Sequence, residues 1–119
     1  MDQAVILSTA RTAIGKAYRG SFNDTDAPTL ASHAIKASIN KSGVEPDEIE
    51  DVIMGAAVQQ GTQGYNIGRL SAIASGLPSQ VPGMSVDRQC ASGLMAIAIG
   101  AKQIACKEMD VVVSGGVES

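Results

Sequence analysis

The stretch SVDRQCASGLMAIAIGAKQIA, Ser85 to Ala105, sets a cysteine, Cys90, between a short β-prone run and a long apolar one. A strand is expected to end near Asp87 and a helix to begin at Gln89 or Cys90. The unpaired N–H groups of that helix's first turn lie at the positive end of its dipole and favour a thiolate, the form of cysteine that attacks carbonyl carbon. Arg88 acts in the same sense, and the carboxylate of Asp87, three residues before the thiol, acts against it. The position suits a nucleophile, and it suits equally the commonest fate of a free cysteine, a small buried hydrophobe.

No other group competes with this one. Cys106 falls in mid-helix, sixteen positions on, and reads as filler or as a near-surface residue; more than four turns of helix, about 24 Å, separate the two thiols, so they do not pair. His33, the one histidine, lies off the apolar stripe of its helix and reads as a surface residue or a satisfied hydrogen-bonding partner. One His and two distant Cys make no tetrahedral metal site, so no metal is expected. Glu45, Asp47, Glu48, Glu50 and Asp51 cluster in a turn with nothing apolar around them to separate their proton affinities, which reads as a solvated acidic loop. The glycine-rich stretches GTQGYNIGR and SGGVES match neither the dinucleotide fingerprint nor the phosphate-binding loop in spacing.

The elements that must position Cys90 follow from the pattern of apolar residues. Ala4 to Ala10, AVILSTA, is a continuous β-prone run, the form of a strand covered on both faces, and a long glycine-containing loop follows it. Leu30, Ala31, Ala34, Ile35 and Ile39 recur at helical spacing, with Asp26 and Pro28 as start signals and Gly43 as the stop. DVIMGAAV, from Asp51, reads as a second buried strand. A short helix carrying Ile67, Leu70, Ile73 and Ala74 comes next, capped by Asn66 and ended by Gly76 and Pro78. VPGMSVD gives a third strand, the Leu94 region a third helix and DVVVSGG a fourth strand. The first half of the third helix is apolar at almost every azimuth, which predicts burial on all sides and puts Cys90 at the base of a pocket.

The order βαβαβαβ predicts an α/β layered fold on a mostly parallel sheet with right-handed crossovers. The chain has 119 residues, 45% of them hydrophobic, enough for one domain with a core. A net charge of −3, with lysines and arginines scattered, excludes the footprint of a nucleic-acid binder. With aromatic content at 3%, base stacking is excluded as well. No apolar run approaches a membrane span, and the N-terminus lacks the pattern of a secretory signal, so a cytoplasmic location with reduced thiols is expected. A sheet that ends one strand after its third helix is expected to be part of something longer.

Three ordered motifs carry a resemblance. RTAIGK at Arg11 to Lys16, VPGMSVDRQCASGLMAI at Val81 to Ile97 and VVVSGGVES at Val111 to Ser119 resemble the N-terminal part of the thiolases, the acetyl-CoA acetyltransferases and 3-ketoacyl-CoA thiolases. The resemblance implies that Cys90 is the acyl-accepting nucleophile of a ping-pong reaction. A 3-ketoacyl-CoA would be cleaved to acetyl-CoA and a shortened acyl-CoA, or two acetyl-CoA condensed in reverse. It implies no permanently bound cofactor, with CoA and acyl-CoA as substrates. The implied architecture is two similar halves stacked as αβαβα with the third helix of each half in the middle layer, assembled as a homodimer or homotetramer.

On this reading residues 1–119 form an incomplete thiolase N-terminal domain. The loop domain and C-terminal half lie outside it, with the family's Gly-His-Pro type histidine, Asn-Glu-Ala-Phe type oxyanion hole and second cysteine. The chain departs from the family in having Asp87 where most thiolases have Asn, and Ala13 where many have Pro. The alternative is a non-catalytic thiolase-like fragment or subunit that serves only in assembly.

Overall fold

The computed structural model describes residues 1–119. Three helices alternate with three strands: α1 (Ala27–Ser42), β1 (Asp51–Gly55), α2 (Ile67–Ala74), β2 (Gly83–Val86), α3 (Ser92–Ala105) and β3 (Val112–Gly116), with single 3-10 turns at Pro46–Glu48 and Gly61–Gln63. The sheet is parallel in the order β2-β1-β3; Ile53 stands beside Met84 on one side and Ser114 on the other. All five residues of β1 are buried, as its unbroken apolar run predicts for a central parallel strand.

Alternation along β1 divides the core. Val52 and Met54 join Ala27, Ala31 and Ile35 of α1 and Ile67 and Ala72 of α2 in one cluster. Ile53 points the opposite way, toward α3, whose Gly100 packs against Ser114, Val112 and Ile53. The sheet is therefore covered by α1 and α2 on one face and by α3 on the other.

The helix signals act as expected. Asp26 caps α1 by accepting from the Thr29 amide at 2.8 Å; the Thr29 side chain first, and then this amide, hold its carboxyl below the ordinary value, and Gly43 ends the helix in the left-handed region at φ 75°. Asn66 caps α2, accepting from the Arg69 amide and donating to the Gly83 carbonyl at 2.8 Å, so the cap also ties α2 to β2. No helix is long and apolar enough to cross a membrane.

The expected first strand is absent. Residues 4 to 10 form no regular element and join no strand ladder, and Val5, Ile6 and Leu7 are 68%, 74% and 59% exposed. The segment is held at isolated points: Asp2 N donates to the Ala105 carbonyl, the Ser8 hydroxyl meets Ser38, and Lys41 Nζ reaches the Thr9 carbonyl. Between this segment and β3 lies a cavity of about 1600 Å³ lined mainly by apolar groups. A ladder needs its partner's N–H and C=O groups about 4.8 Å away, and the gap denies them.

The acidic turn also differs from expectation. Asp51 is buried at the start of β1, where it accepts from the Val52 amide at 2.8 Å. Glu50 accepts from the amides of Asp110 and Val111 at the entry to β3, and those bonds hold its carboxyl below the ordinary value. Glu48 accepts from the Glu45 amide, closing a capping box. These groups organise backbone and are not simply solvated.

Candidate active site

Cys90 stands at the carboxyl end of β2, but α3 begins two residues after it, at Ser92, with Ala91 as the cap residue. Between strand and helix the chain makes a tight turn in which Ala91 N donates to the Arg88 carbonyl and Ser92 N to the Gln89 carbonyl, both at 3.1 Å. Gln89, immediately before the cysteine, has φ 51°, a left-handed conformation that costs a non-glycine residue about 1–2 kcal/mol.

Two side chains hold that conformation. The Ser92 hydroxyl, buried at 3% exposure, accepts from Arg88 N at 2.8 Å and donates to the Gln89 carbonyl at 2.6 Å, bracketing the left-handed residue from inside the turn. Asp87 accepts from Gln89 N at 2.8 Å. An asparagine oxygen makes the same bond, so the departure at Asp87 preserves the geometry. The amides of Cys90, Gly93 and Leu94 make no hydrogen bond within residues 1–119, and the first bond of the regular helix is Met95 N to the Ala91 carbonyl at 2.9 Å. Such free donors can receive negative charge on sulfur or on a bound oxygen.

The turn rests directly on backbone. A Cβ on Gly55, the last residue of β1, would collide with the carbonyl of Ser92, and one on Gly116, the last of β3, would lie 3.0 Å from Gly93 Cα. Glycine at both strand ends lets α3 start flush against the sheet.

Burial is where the site departs from the sequence pattern. Cys90 is exposed, as are Leu94 at 72% and Ile97 at 44%, whereas the stripe Ser92, Ala96 and Gly100 is buried against β1 and β3. Among residues 1–119 no element covers the face that carries Leu94 and Ile97, so the expected enclosure of α3 and of the thiol is not reached within this segment. Cys106 caps the far end of α3 and is exposed. His33 is exposed on α1 and belongs to no cluster with Cys90. No three His, Cys, Asp or Glu side chains gather as metal ligands.

Ser92, Gln89 and Glu118 are not singled out by the sequence. Ser92 carries a signal in retrospect, a polar residue on the small-residue stripe that packs against the sheet. Gln89 and Glu118 carry none, because a left-handed turn and a bond across 61 positions are properties of the assembled backbone.

The fold and site define a parallel α/β protein that presents a thiol beside unpaired amides at the carboxyl ends of its strands, where such sheets place their sites. Comparison with known proteins narrows the class. The family description "Thiolase, N-terminal domain" matches residues 4–119, and the chain belongs to the thiolase family.

It is 41% identical over 119 residues to an acetyl-CoA acetyltransferase of Cupriavidus necator and 38% identical over 119 residues to a 3-ketoacyl-CoA thiolase of Bacillus subtilis. In each case the match covers 100% of this chain and 30% of the relative. A crystal structure of the Bacillus anthracis acetyl-CoA acetyltransferase superposes with a TM-score of 0.94 at 37% identity, again over 100% of this chain and 30% of that one. The chain thus spans about 30% of the length of these relatives and has the fold of the corresponding part.

Proposed function

We propose that these residues supply the nucleophile of a thiolase and that Cys90 is that nucleophile. The observation that carries the reading is the placement of an exposed thiol at the strand-to-helix junction, beside three unpaired amides, in a chain of this family. Relatives carry the names acetyl-CoA acetyltransferase and 3-ketoacyl-CoA thiolase. The proposed reaction is acyl transfer between carbon and the sulfur of CoA.

In the cleavage direction the Cys90 thiolate attacks C3 of a 3-ketoacyl-CoA. The new C–S bond forms, the C2–C3 bond breaks, and the electron pair leaves on C2 as the enolate of acetyl-CoA, which is then protonated. A second CoA, deprotonated at sulfur, attacks the acyl-Cys90 thioester and releases the shortened acyl-CoA and the Cys90 thiolate. Free amides at the turn suit the oxygen that gains charge in the first step. His33 is exposed on α1, across the sheet from α3, and is given no proton-transfer role; the family's activating histidine is assigned to residues outside 1–119.

The proposal places residues 1–119 as an incomplete N-terminal domain of a homo-oligomeric enzyme that needs no permanently bound cofactor. The reaction uses Cys90 as a free thiol, which suits a reducing compartment such as the cytoplasm. The exposed face of α3 favours a partly built structure, so the 119 residues alone are expected to be inactive.

The test is turnover of acetoacetyl-CoA with CoA by the complete chain, with mass spectrometry of the Cys90 peptide for a 42 Da acetyl adduct, about the mass an acetyl group adds in place of the thiol proton. Cys90→Ala is expected to abolish both. Undiminished turnover in that variant would sink the reading.

A further inference from the structure

We infer that Glu118 is a positioning residue for Cys90: its carboxylate locks the loop after β1 to the tail after β3, and the two strand ends so joined form the seat of the turn that carries the thiol. The inference rests on Cys90 being the nucleophile proposed above. Glu118 lies in the motif GGVES at the end of β3.

Three donors converge on this one side chain. Oε2 accepts from Ala57 N at 2.9 Å, and Oε1 from Val58 N at 3.0 Å and from Gln63 Nε2 at 2.8 Å. Gln63 is 2% exposed and also donates to the Val58 carbonyl while accepting from Ser119 N, so both chain segments are stitched through it as well. Val117 N donates to the Gly55 carbonyl at 3.0 Å and Ala56 N to the Val86 carbonyl at 3.0 Å, which extends the lacing to all three strand ends. Burial raises the Glu118 carboxyl, but the bonds from Ala57, Gln63 and Val58 outweigh it and hold the group below its ordinary value. The clamp is therefore charged near neutral pH, and charge-assisted bonds are about twice as strong as neutral ones.

The coupling to Cys90 is short. Gly55 and Gly116, the residues immediately before the clamped segments, touch Ser92 and Gly93 with no side chain between them. A close-packed backbone contact of this kind has no soft side chain to absorb displacement, so a shift of the strand ends becomes a shift of the helix start. Misplacement of a nucleophile by about 1 Å costs on the order of 10²-fold in rate.

The experiment uses the complete chain and the variant Glu118→Gln, which keeps the shape of the side chain and removes its charge and one acceptor. Cys106, at the other end of α3, serves as a reference within the same molecule. Iodoacetamide labelling of both cysteines is followed by peptide mass spectrometry, alongside kcat and KM for acetoacetyl-CoA cleavage. The expected result is a rate of Cys90 labelling, relative to Cys106, about tenfold below wild type, with kcat down about tenfold and KM within about twofold.

A wild-type labelling ratio in the folded variant overturns the inference, whether both rates are unchanged or both rise together through general loosening. If Glu118→Gln does not fold, Glu118→Asp, which keeps the charge but withdraws it by one methylene, is read by the same ratio with the same two outcomes. Should wild type label at Cys90 yet fail to cleave acetoacetyl-CoA, the proposed reaction falls while the labelling ratio still decides the role of Glu118.

Discussion

At Ser92 one hydroxyl accepts from the Arg88 amide and donates to the carbonyl of the left-handed Gln89. Ser92→Ala leaves the Arg88 amide without its partner and is expected to destabilise the complete chain by about 1–3 kcal/mol, read as the shift in a urea unfolding midpoint at constant slope. Asp87→Asn retains an oxygen for the Gln89 amide and is expected to fall within about 0.5 kcal/mol of wild type in the same measurement. A large loss in Asp87→Asn would show that the carboxylate's charge, and not its acceptor oxygen, sets the turn.

Among the elements, β1 and β3 matter to the site through their last residues. Gly116→Ala brings a methyl group to 3.0 Å from Gly93 Cα, a backbone atom that must give by a few tenths of an ångström to admit it. The expected outcome is a folded protein in which Cys90 labelling falls several-fold, up to about tenfold, because the start of α3 shifts relative to the sheet. For α1, Asp26→Ala removes the N-cap and is expected to lower the thermal midpoint without a change in Cys90 labelling. The two substitutions separate an element that seats the site from one that only supports the core.

For the whole molecule, pH and association are the informative measurements. Asp26, Glu50 and Glu118 all titrate below their ordinary values of 3.8, 4.5 and 4.5, so the unfolded chain binds more protons than the folded one in acid. Their stabilisation is complete above the ordinary values and is lost as pH falls through the lower folded ones. The thermal midpoint of the complete chain is expected to fall below about pH 4, with a shallower acid decline in Glu118→Gln. Residues 1–119 expressed alone expose Val5, Ile6 and Leu7 on one side and Leu94 and Ile97 on another. They are expected to associate or to remain partly molten in sedimentation and near-UV circular dichroism, and a monomer with a sharp, reversible melt would contradict this.

Local chemistry makes much of the protein legible in the chain itself. Asp26, Gly43, Asn66 and Gly76 punctuate their helices as their side chains and permitted dihedrals dictate, and the unbroken run of β1 marks a strand buried on both faces. Cys90 stands out because a thiol at a strand-to-helix junction is legible from spacing. Tertiary structure alone decided the rest. Residues 4 to 10 are as β-prone as β1 yet form no strand, because a strand exists only through the hydrogen bonds of a neighbour. The apolar circumference of α3 foretold enclosure, but burial depends on which elements are present to cover a face, and here only the side toward β1 and β3 is covered. The left-handed turn at Gln89 and the clamp at Glu118 join groups brought together only when the strand ends meet, so neither leaves a periodic trace in the chain.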